Sequence, residues 1–393
     1  MERADLTLTA GPNDVYPEVR AALGAPILYH YDPVFLDRYR DTEKKLARIF
    51  RTTSHEMILM QGEAVLGLES AARSLCTRGT PVLNLVSGVF GKGFGYWLSA
   101  LGAELHELEV PYDAAIDPDA VAAYLDAHPD IKVLSVVHSE TPSGTLNPVD
   151  RIGPICRSRG VVSIVDAVSS LGGIELRSEE WQLDLLVAGP QKCLGGPPGM
   201  SLMAVSPQTW EAIERNPDAP RGSFLSMLDH HDMWHGQGRF PFTPSVSDLH
   251  GVLAAADLVL AEGLDAVQAR HDRVARACWA GVRAMGLRPW PVSEAISSAS
   301  VTSIAVPDGL TDIAVRDHAR SRYGVQLSAG QGAGNIIRLG HMGNTARPMW
   351  MVAGLTAIGR TMLDLGARVD LGAGIEAAMT SLAASAPVDG PPA

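Results

Sequence analysis

The chain has 393 residues, 46% of them hydrophobic and 19% charged, enough apolar side chain for one large domain or two ordinary ones. Its net charge of −12 and pI near 5.4 argue against nucleic acid or an anionic membrane as a partner. No apolar run approaches the roughly 18 residues of a membrane span, Met1-Glu-Arg-Ala-Asp5 is unlike a signal peptide, and a cytoplasmic location is expected.

Residues 1–25 read as an N-terminal arm, turn-rich from Leu6 to Pro12, with the aromatic stretch Tyr29-His30-Tyr31 soon after. From residue 56 strands and helices alternate, the pattern of a mostly parallel sheet. The spacing predicts strands over 57–60, 81–86, 105–110, 132–137, 161–166, 184–188 and 200–205. Helices are expected over 63–76, 117–128 and 148–159, and Gly88 to Gly93 reads as a Gly-rich turn before a helix ending near Leu101. Residues 207–247 read as irregular. Their cluster Asp229-His230-His231-Asp232 with His235 is taken as a solvated loop, because no second cluster supplies further metal ligands. A long helical pattern over 248–285 links a large domain, 26–260, to a small C-terminal one, 261–393. In the latter, 301–306, 325–327 and 336–339 read as strands and 311–323 and 348–362 as helices; the Pro/Gly-rich tail 386–393 reads as frayed. Cys76, Cys156, Cys193 and Cys278 lack CxxC spacing and read as small buried hydrophobes, not disulfides or zinc ligands.

The chemistry gathers on two β-branched runs, 161–165 and 184–188, that read as strands buried on both faces. The first ends on Asp166, and the second leads through Gly189-Pro190-Gln191 to Lys192. A carboxylate and an amine at the ends of adjacent buried strands are costly unless chemistry needs them. A pyridoxal Schiff base on lysine needs both, with the acid pairing the pyridinium nitrogen so that the ring accepts electrons. Gly62-Glu63, Phe90 and Thr141 also fall at the carboxyl ends of strands, where ligands of such sheets collect. Arg338 is a cation within the apolar run Ile336 to Leu339, and its planar fork suits a carboxylate.

Asp166-Ala-Val-Ser-Ser170 and Gly189-Pro-Gln-Lys192 resemble the signature of the class V, fold-type I aminotransferases, and the likeness covers nearly the whole chain. The resemblance implies an α/β fold with a large, mostly parallel seven-stranded sheet domain and a small C-terminal α/β domain. It implies Lys192 as Schiff-base and acid–base residue, Asp166 as the ring-nitrogen partner, Phe90 (where relatives carry tyrosine) as the ring stack and Thr141 at the 3′-oxygen. Arg338 would take the substrate α-carboxylate, Tyr29 to Tyr31 would lie near the active-site mouth, and Thr243 would come from a neighbouring subunit of a homodimer or homotetramer. Gln61 to Glu69, Ser87 to Trp97, His138 to Gly144 and Phe242 to Ser247 are most similar to the branch that acts on free vitamin B6. Gln331 departs from that branch, which carries arginine there, and leaves Arg338 to hold the carboxylate largely alone.

Glu63 separates the two branches. Phosphate-using relatives place small or hydroxyl residues in this strand-to-helix turn, whose N–H groups bind a 5′-phosphate. Two unit charges about 4 Å apart repel by about 4 kcal/mol at an effective dielectric near 20. Glu63 therefore favours pyridoxal and pyridoxamine over their phosphates; a helix-start glutamate with no further role, favoured by the dipole, is the plainer reading. The expected reaction moves the amino group of pyridoxamine to pyruvate, giving pyridoxal and L-alanine, in vitamin B6 degradation, with no tightly bound cofactor and no metal. The competing expectations are an alanine–glyoxylate or serine–pyruvate aminotransferase dependent on pyridoxal 5′-phosphate, a cysteine desulfurase-like lyase, and a non-catalytic vitamer-binding protein. The lyase lacks a cysteine in the late loop 326–335.

Overall fold

The computed structural model describes residues 4–384. Its centre is a seven-stranded sheet in the order Glu56–Gln61, Met200–Val205, Leu185–Ala188, Val162–Asp166, Val133–Val137, Pro81–Val86, Glu104–Glu109. Met200–Val205 runs antiparallel to both neighbours, and the remaining pairs are parallel. The three middle strands bury nearly every side chain, which is why they read as continuous apolar runs with no alternation. Glu104–Glu109 forms the edge and carries charges, with Lys92 Nζ bridging Glu107 at 2.6 Å and Glu109 at 3.3 Å.

Helices cover both faces, and several begin on a cap followed by proline. Asp32 accepts from the Val34 N–H ahead of Pro33–Ile49, Asp117 from Asp119 ahead of Pro118–Ala127, and Ser206 from Thr209 ahead of Pro207–Arg215. The long helical pattern is two helices, Val246–Glu262 and Leu264–Ala284, separated by Gly263 at φ +90°. Beyond them an antiparallel sheet, in the order Arg288–Pro289, Val301–Ala305, Ile336–Gly340, Ser328–Ala329, packs on its own apolar core. The N-terminal arm joins this second unit: Leu6–Thr7 pairs with Val325–Gln326, and Leu8 is buried in its core.

Several local expectations are corrected. The Gly88–Gly93 stretch is no turn; the helix Val89–Leu101 starts inside it, and Gly88, Gly91 and Gly95 lie where a Cβ would strike Glu140, the Leu85 carbonyl and Glu107. The 207–247 segment contains the helix Pro207–Arg215 and a wide helical turn, His230–His235. That turn is packed on one side, while Asp232 and His235 remain exposed. Trp234 is 6% exposed, its ring stacks on Phe240 at 4.4 Å, and its Nε1 donates to Glu43 at 2.8 Å. His231 Nδ1 lies 2.8 Å from Glu56, and Asp229 and Asp232 pair with Arg221. The sequence pattern also missed the closing helix Leu371–Ala384, whose small residues dilute its apolar stripe. The tail expected to fray, 386–393, lies outside the described residues.

The four cysteines are free and buried. Among the described residues no group of three or more His, Cys, Asp or Glu is placed to hold a metal ion, and no helix is long and apolar enough to cross a membrane. Trp234→Ala is expected to destabilise the protein by about 3–5 kcal/mol, read from the denaturant midpoint. Added zinc is expected to leave the parent midpoint unchanged. A zinc-dependent rise would restore the His/Asp turn as a metal site.

Candidate active site

Because the strands around Asp166 are parallel, the segments that leave their carboxyl ends converge. Glu63, Phe90, Thr141, Asp166 and Lys192 line one cavity with Ala64, Val65, Leu68, Ser139, Val168 and Ser169. The sequence had placed these five at strand ends, and the fold brings all five together. Val162–Asp166 ends on its acid, and Asp166 Oδ1 accepts from the Val168 N–H at 2.9 Å, which fixes the carboxyl where the chain turns away. Burial pushes the Asp166 carboxyl up to about 6, with Glu63 adding to the rise and the Val168 N–H and Lys192 opposing it.

Lys192 reaches the same cavity from the turn after Leu185–Ala188. Burial lowers its amine below the ordinary lysine value, helped by the Arg338 guanidinium and opposed by Glu63 and Asp166. Nζ donates to the Ala10 carbonyl at 2.8 Å. The arm is held this close because Gly11, at φ +94°, has no Cβ; one would stand 2.3 Å from the lysine chain. The contact of Ala10 and Gly11 with Lys192 had no sequence signal, since it joins residues 182 apart.

Glu63 is the residue that opens the helix Ala64–Leu75. Gly62, at φ +141°, makes the turn out of Glu56–Gln61, and its N–H donates to the Gly199 carbonyl at 2.9 Å. Glu63 Oε2 then accepts from the Val65 N–H at 2.9 Å, and its own carbonyl accepts from Leu66 at 2.8 Å. Oε1 accepts from Gln191 Nε2 at 2.7 Å. The chain's own carboxylate thus occupies part of the donor set that a helix N-terminus offers to an anion.

Phe90 stands at the rim, 39% exposed. Its N–H donates to Glu140 Oε2 at 3.2 Å, and the Gly91 N–H to Oε1 at 2.7 Å, so a carboxylate from beside Thr141 anchors the ring's helix. Burial pushes Glu140 up to about 7. Neither Glu140 nor Gln191 was singled out from the sequence, although each lies inside a motif already marked, one residue before Thr141 and Lys192.

Arg338 is 4% exposed on Ile336–Gly340, with Nε donating to the Ala329 carbonyl at 2.5 Å. Burial and then Arg316 lower its guanidinium to about 10, and no carboxylate contributes. Among the described residues it has no ion-pair partner, so a structural salt bridge does not account for it. Four candidates do not line this cavity within the chain, and of these Arg338 alone acts on it, through its charge on Lys192. Tyr31 packs near Phe240, with ring centroids 6.0 Å apart; Thr243 lies in a separate hollow with Gln61, Phe240 and Phe242; Gln331 sits exposed in a turn at φ +50°.

The aminotransferase class-V family profile matches residues 18–348. The chain belongs to the class-V aminotransferases. It is 49% identical to the pyridoxamine–pyruvate transaminase of Mesorhizobium japonicum over 98% of this chain and 99% of that one. It is 31% identical to an L-aspartate–glyoxylate aminotransferase of Paracoccus denitrificans, over 94% and 93% respectively. The crystal structure of pyridoxamine–pyruvate aminotransferase from Mesorhizobium loti superposes with a TM-score of 0.95 at 48% identity, covering 98% of both chains. The ureidoglycine–glyoxylate aminotransferase of Bacillus subtilis superposes at 0.90 with 28% identity, covering 95% of this chain and 97% of that one. The matches make the fold-type I architecture and the aminotransferase class firm.

Class-V aminotransferases depend on pyridoxal 5′-phosphate, and the donor set here fits part of that group. Asp166 and Lys192 suit a pyridine nitrogen and an aldehyde carbon. The start of Ala64–Leu75, suited by its N–H groups to a phosphate, carries the Glu63 carboxylate instead. For Arg338, an unpaired buried charge, replacement by an apolar chain of similar length relieves a desolvation cost. Arg338→Met is expected to melt no lower than the parent in a thermal scan. Pyruvate is expected to raise the parent midpoint and leave that of the variant in place. A marked loss of stability in Arg338→Met would show the guanidinium to be structural.

Proposed function

We propose that this class-V aminotransferase moves the amino group of pyridoxamine to pyruvate, giving pyridoxal and L-alanine, with the unphosphorylated vitamer as substrate and no phosphate cofactor held tightly. The observation that carries this reading is Glu63, bonded to Val65 and Gln191 at the helix start that would otherwise face a 5′-phosphate. A free 5′-hydroxymethyl group donates a hydrogen bond to that carboxylate, whereas a phosphate near −2 is repelled by it. The 49% identity to a pyridoxamine–pyruvate transaminase supports the same reading.

Each residue then has a task. When bound, the vitamer's ring supplies an electron sink. Asp166 holds the proton of the ring nitrogen, and Phe90 packs against the ring face. Thr141 bonds the 3′-oxygen. Lys192, its amine shifted by burial towards the neutral form, would hold the vitamer's aldehyde carbon by condensation with loss of water, and when free it moves the proton between C4′ and the substrate α-carbon. Arg338 clamps the α-carboxylate of pyruvate or alanine in two-point fashion. In this reading a large domain, 26–260, brings the lysine and acid, and a small one, 261–393, brings the arginine. Thr243 lies outside its own chain's cavity, as it would if it served the partner's site in a homodimer or a tetramer built on it; Tyr31 and Gln331, also outside it, are retained only as contacts at the mouth. The enzyme acts in the cytoplasm and consumes free vitamin B6 amine.

The test is turnover by the purified, dialysed protein. Pyridoxamine with pyruvate is expected to yield aldehyde, and pyridoxamine 5′-phosphate with pyruvate at least about a hundredfold less, in line with about 3 kcal/mol or more of repulsion. Glu63→Ser is expected to narrow that gap. A protein that purifies with bound phosphate cofactor and transaminates alanine with glyoxylate would transfer it to the phosphate-dependent branch. The pH dependence follows from Asp166. Its carboxyl is raised to about 6, so the anion that accepts the ring proton is lost as pH falls through that value. Pyridoxal binding, read by absorbance, is expected to weaken by about tenfold per pH unit below 6. In Asp166→Asn that acid limb is expected to vanish, together with most of the turnover.

A further inference from the structure

Electrostatic rejection of a phosphate works only while the carboxylate stays where it is. A lone glutamate on the first turn of a helix has three rotatable bonds and could turn its charge to solvent when an anion arrives. Glu63 does not stand alone. Oε2 is held by a backbone donor two residues along, the Val65 N–H at 2.9 Å, and Oε1 by a side-chain donor from another strand's exit, Gln191 Nε2 at 2.7 Å. The two bonds come from different segments, so turning Glu63 away breaks both.

Gln191 is built for this contact. It is 3% exposed and sits one residue before Lys192, so its backbone is set by the turn that presents the lysine. Its amide folds back over Gly189, where a Cβ would stand 2.5 Å from Gln191 Oε1. That oxygen has no hydrogen-bond partner among the described residues, although it is buried. The orientation of the amide follows from its neighbour: with the oxygen turned towards Glu63, two acceptors would face each other, so the nitrogen faces the carboxylate. The glutamine accepts an unsatisfied oxygen on one side in order to place a donor on the other.

We infer that Gln191 is the positioning residue for vitamer choice: by pinning Glu63 across the start of Ala64–Leu75, it makes the site reject 5′-phosphorylated vitamers and accept free ones. This rests on the proposed use of free pyridoxamine and pyridoxal, and names the device that enforces it. Gln191 acts through Glu63 and need not touch the substrate.

The experiment measures the dissociation constants of pyridoxal and pyridoxal 5′-phosphate, by absorbance of the lysine-bound form, for four proteins: parent, Gln191→Met, Glu63→Ser and the double variant. Gln191→Met keeps the length and removes the donor. It is expected to shift the ratio of the two constants about tenfold towards the phosphate. In the Glu63→Ser background the same change is expected to alter the ratio by less than about twofold, because the carboxylate it positions is gone. A general packing role for Gln191 would weaken both vitamers alike and leave the ratio in place. Should Gln191→Met not fold, Gln191→Asn, which withdraws the donor by one methylene, is read the same way. A ratio unchanged in the Gln191 variants while Glu63→Ser shifts it overturns this inference and leaves the proposed function standing. A ratio unchanged in Glu63→Ser overturns both.

Discussion

Glu63 puts a carboxylate on the first turn of Ala64–Leu75, where exposed N–H groups and the helix dipole would otherwise collect an anion from solution. The charge is favourable to the helix and hostile to a phosphate for the same electrostatic reason. Its placement depends on the sheet: Gly62 turns the chain out of Glu56–Gln61, Gly199 just before the antiparallel strand holds that turn, and Gln191 reaches across from the exit of Leu185–Ala188. One carboxylate is thus fixed by three strands. In the proposed reading the fold-type I scaffold keeps its pyridine-binding half and gives its phosphate-binding half to a side chain.

The pair proposed to be catalytic obeys the opposite logic. Lys192 and Asp166 are taken out of water by the same packed strands, and burial moves both towards their neutral forms, the amine down and the carboxyl up to about 6. Each charge is offset by the other across the cavity, and Arg338, buried without a counter-ion among the described residues, adds positive potential that favours an incoming carboxylate. A site of this kind is costly to the empty protein and is relieved by its ligands. The arm contributes too, because Leu6–Thr7 ties it to the small sheet while Ala10 holds the lysine amine, so both units meet at Lys192.

Much of this was legible in the sequence, and the reasons divide by the range of the interaction. Parallel strands buried on both faces announce themselves as β-branched runs, and residues at their carboxyl ends must converge, so Glu63, Phe90, Thr141, Asp166 and Lys192 could be placed together before any coordinates. Arg338 was visible as a cation in an apolar strand. What was not legible depends on contacts between distant segments or on helices without a clear stripe. Gly88, Gly91 and Gly93 look like a turn, yet the helix Val89–Leu101 runs through the last two; Gly88 and Gly91 are needed because Glu140 and the Leu85 carbonyl pack where a Cβ would stand. The His/Asp run looked solvated, yet Glu43 and Glu56, far in sequence, and the nearby Phe240 pack against one side of it. Gln191 and Glu140 were passed over because their partners, Glu63 and the 90–91 backbone, are named only by the fold.

The most direct measurement is a crystal structure of the protein with pyridoxal bound, read at one distance. The account predicts the vitamer's 5′-oxygen within about 2.6–3.0 Å of the Glu63 carboxylate, with the bonds from Val65 and Gln191 intact. A 5′-arm that points away from Glu63, or a phosphate seated on the Ala64–Leu75 N-terminus with Glu63 rotated into solvent, would contradict it.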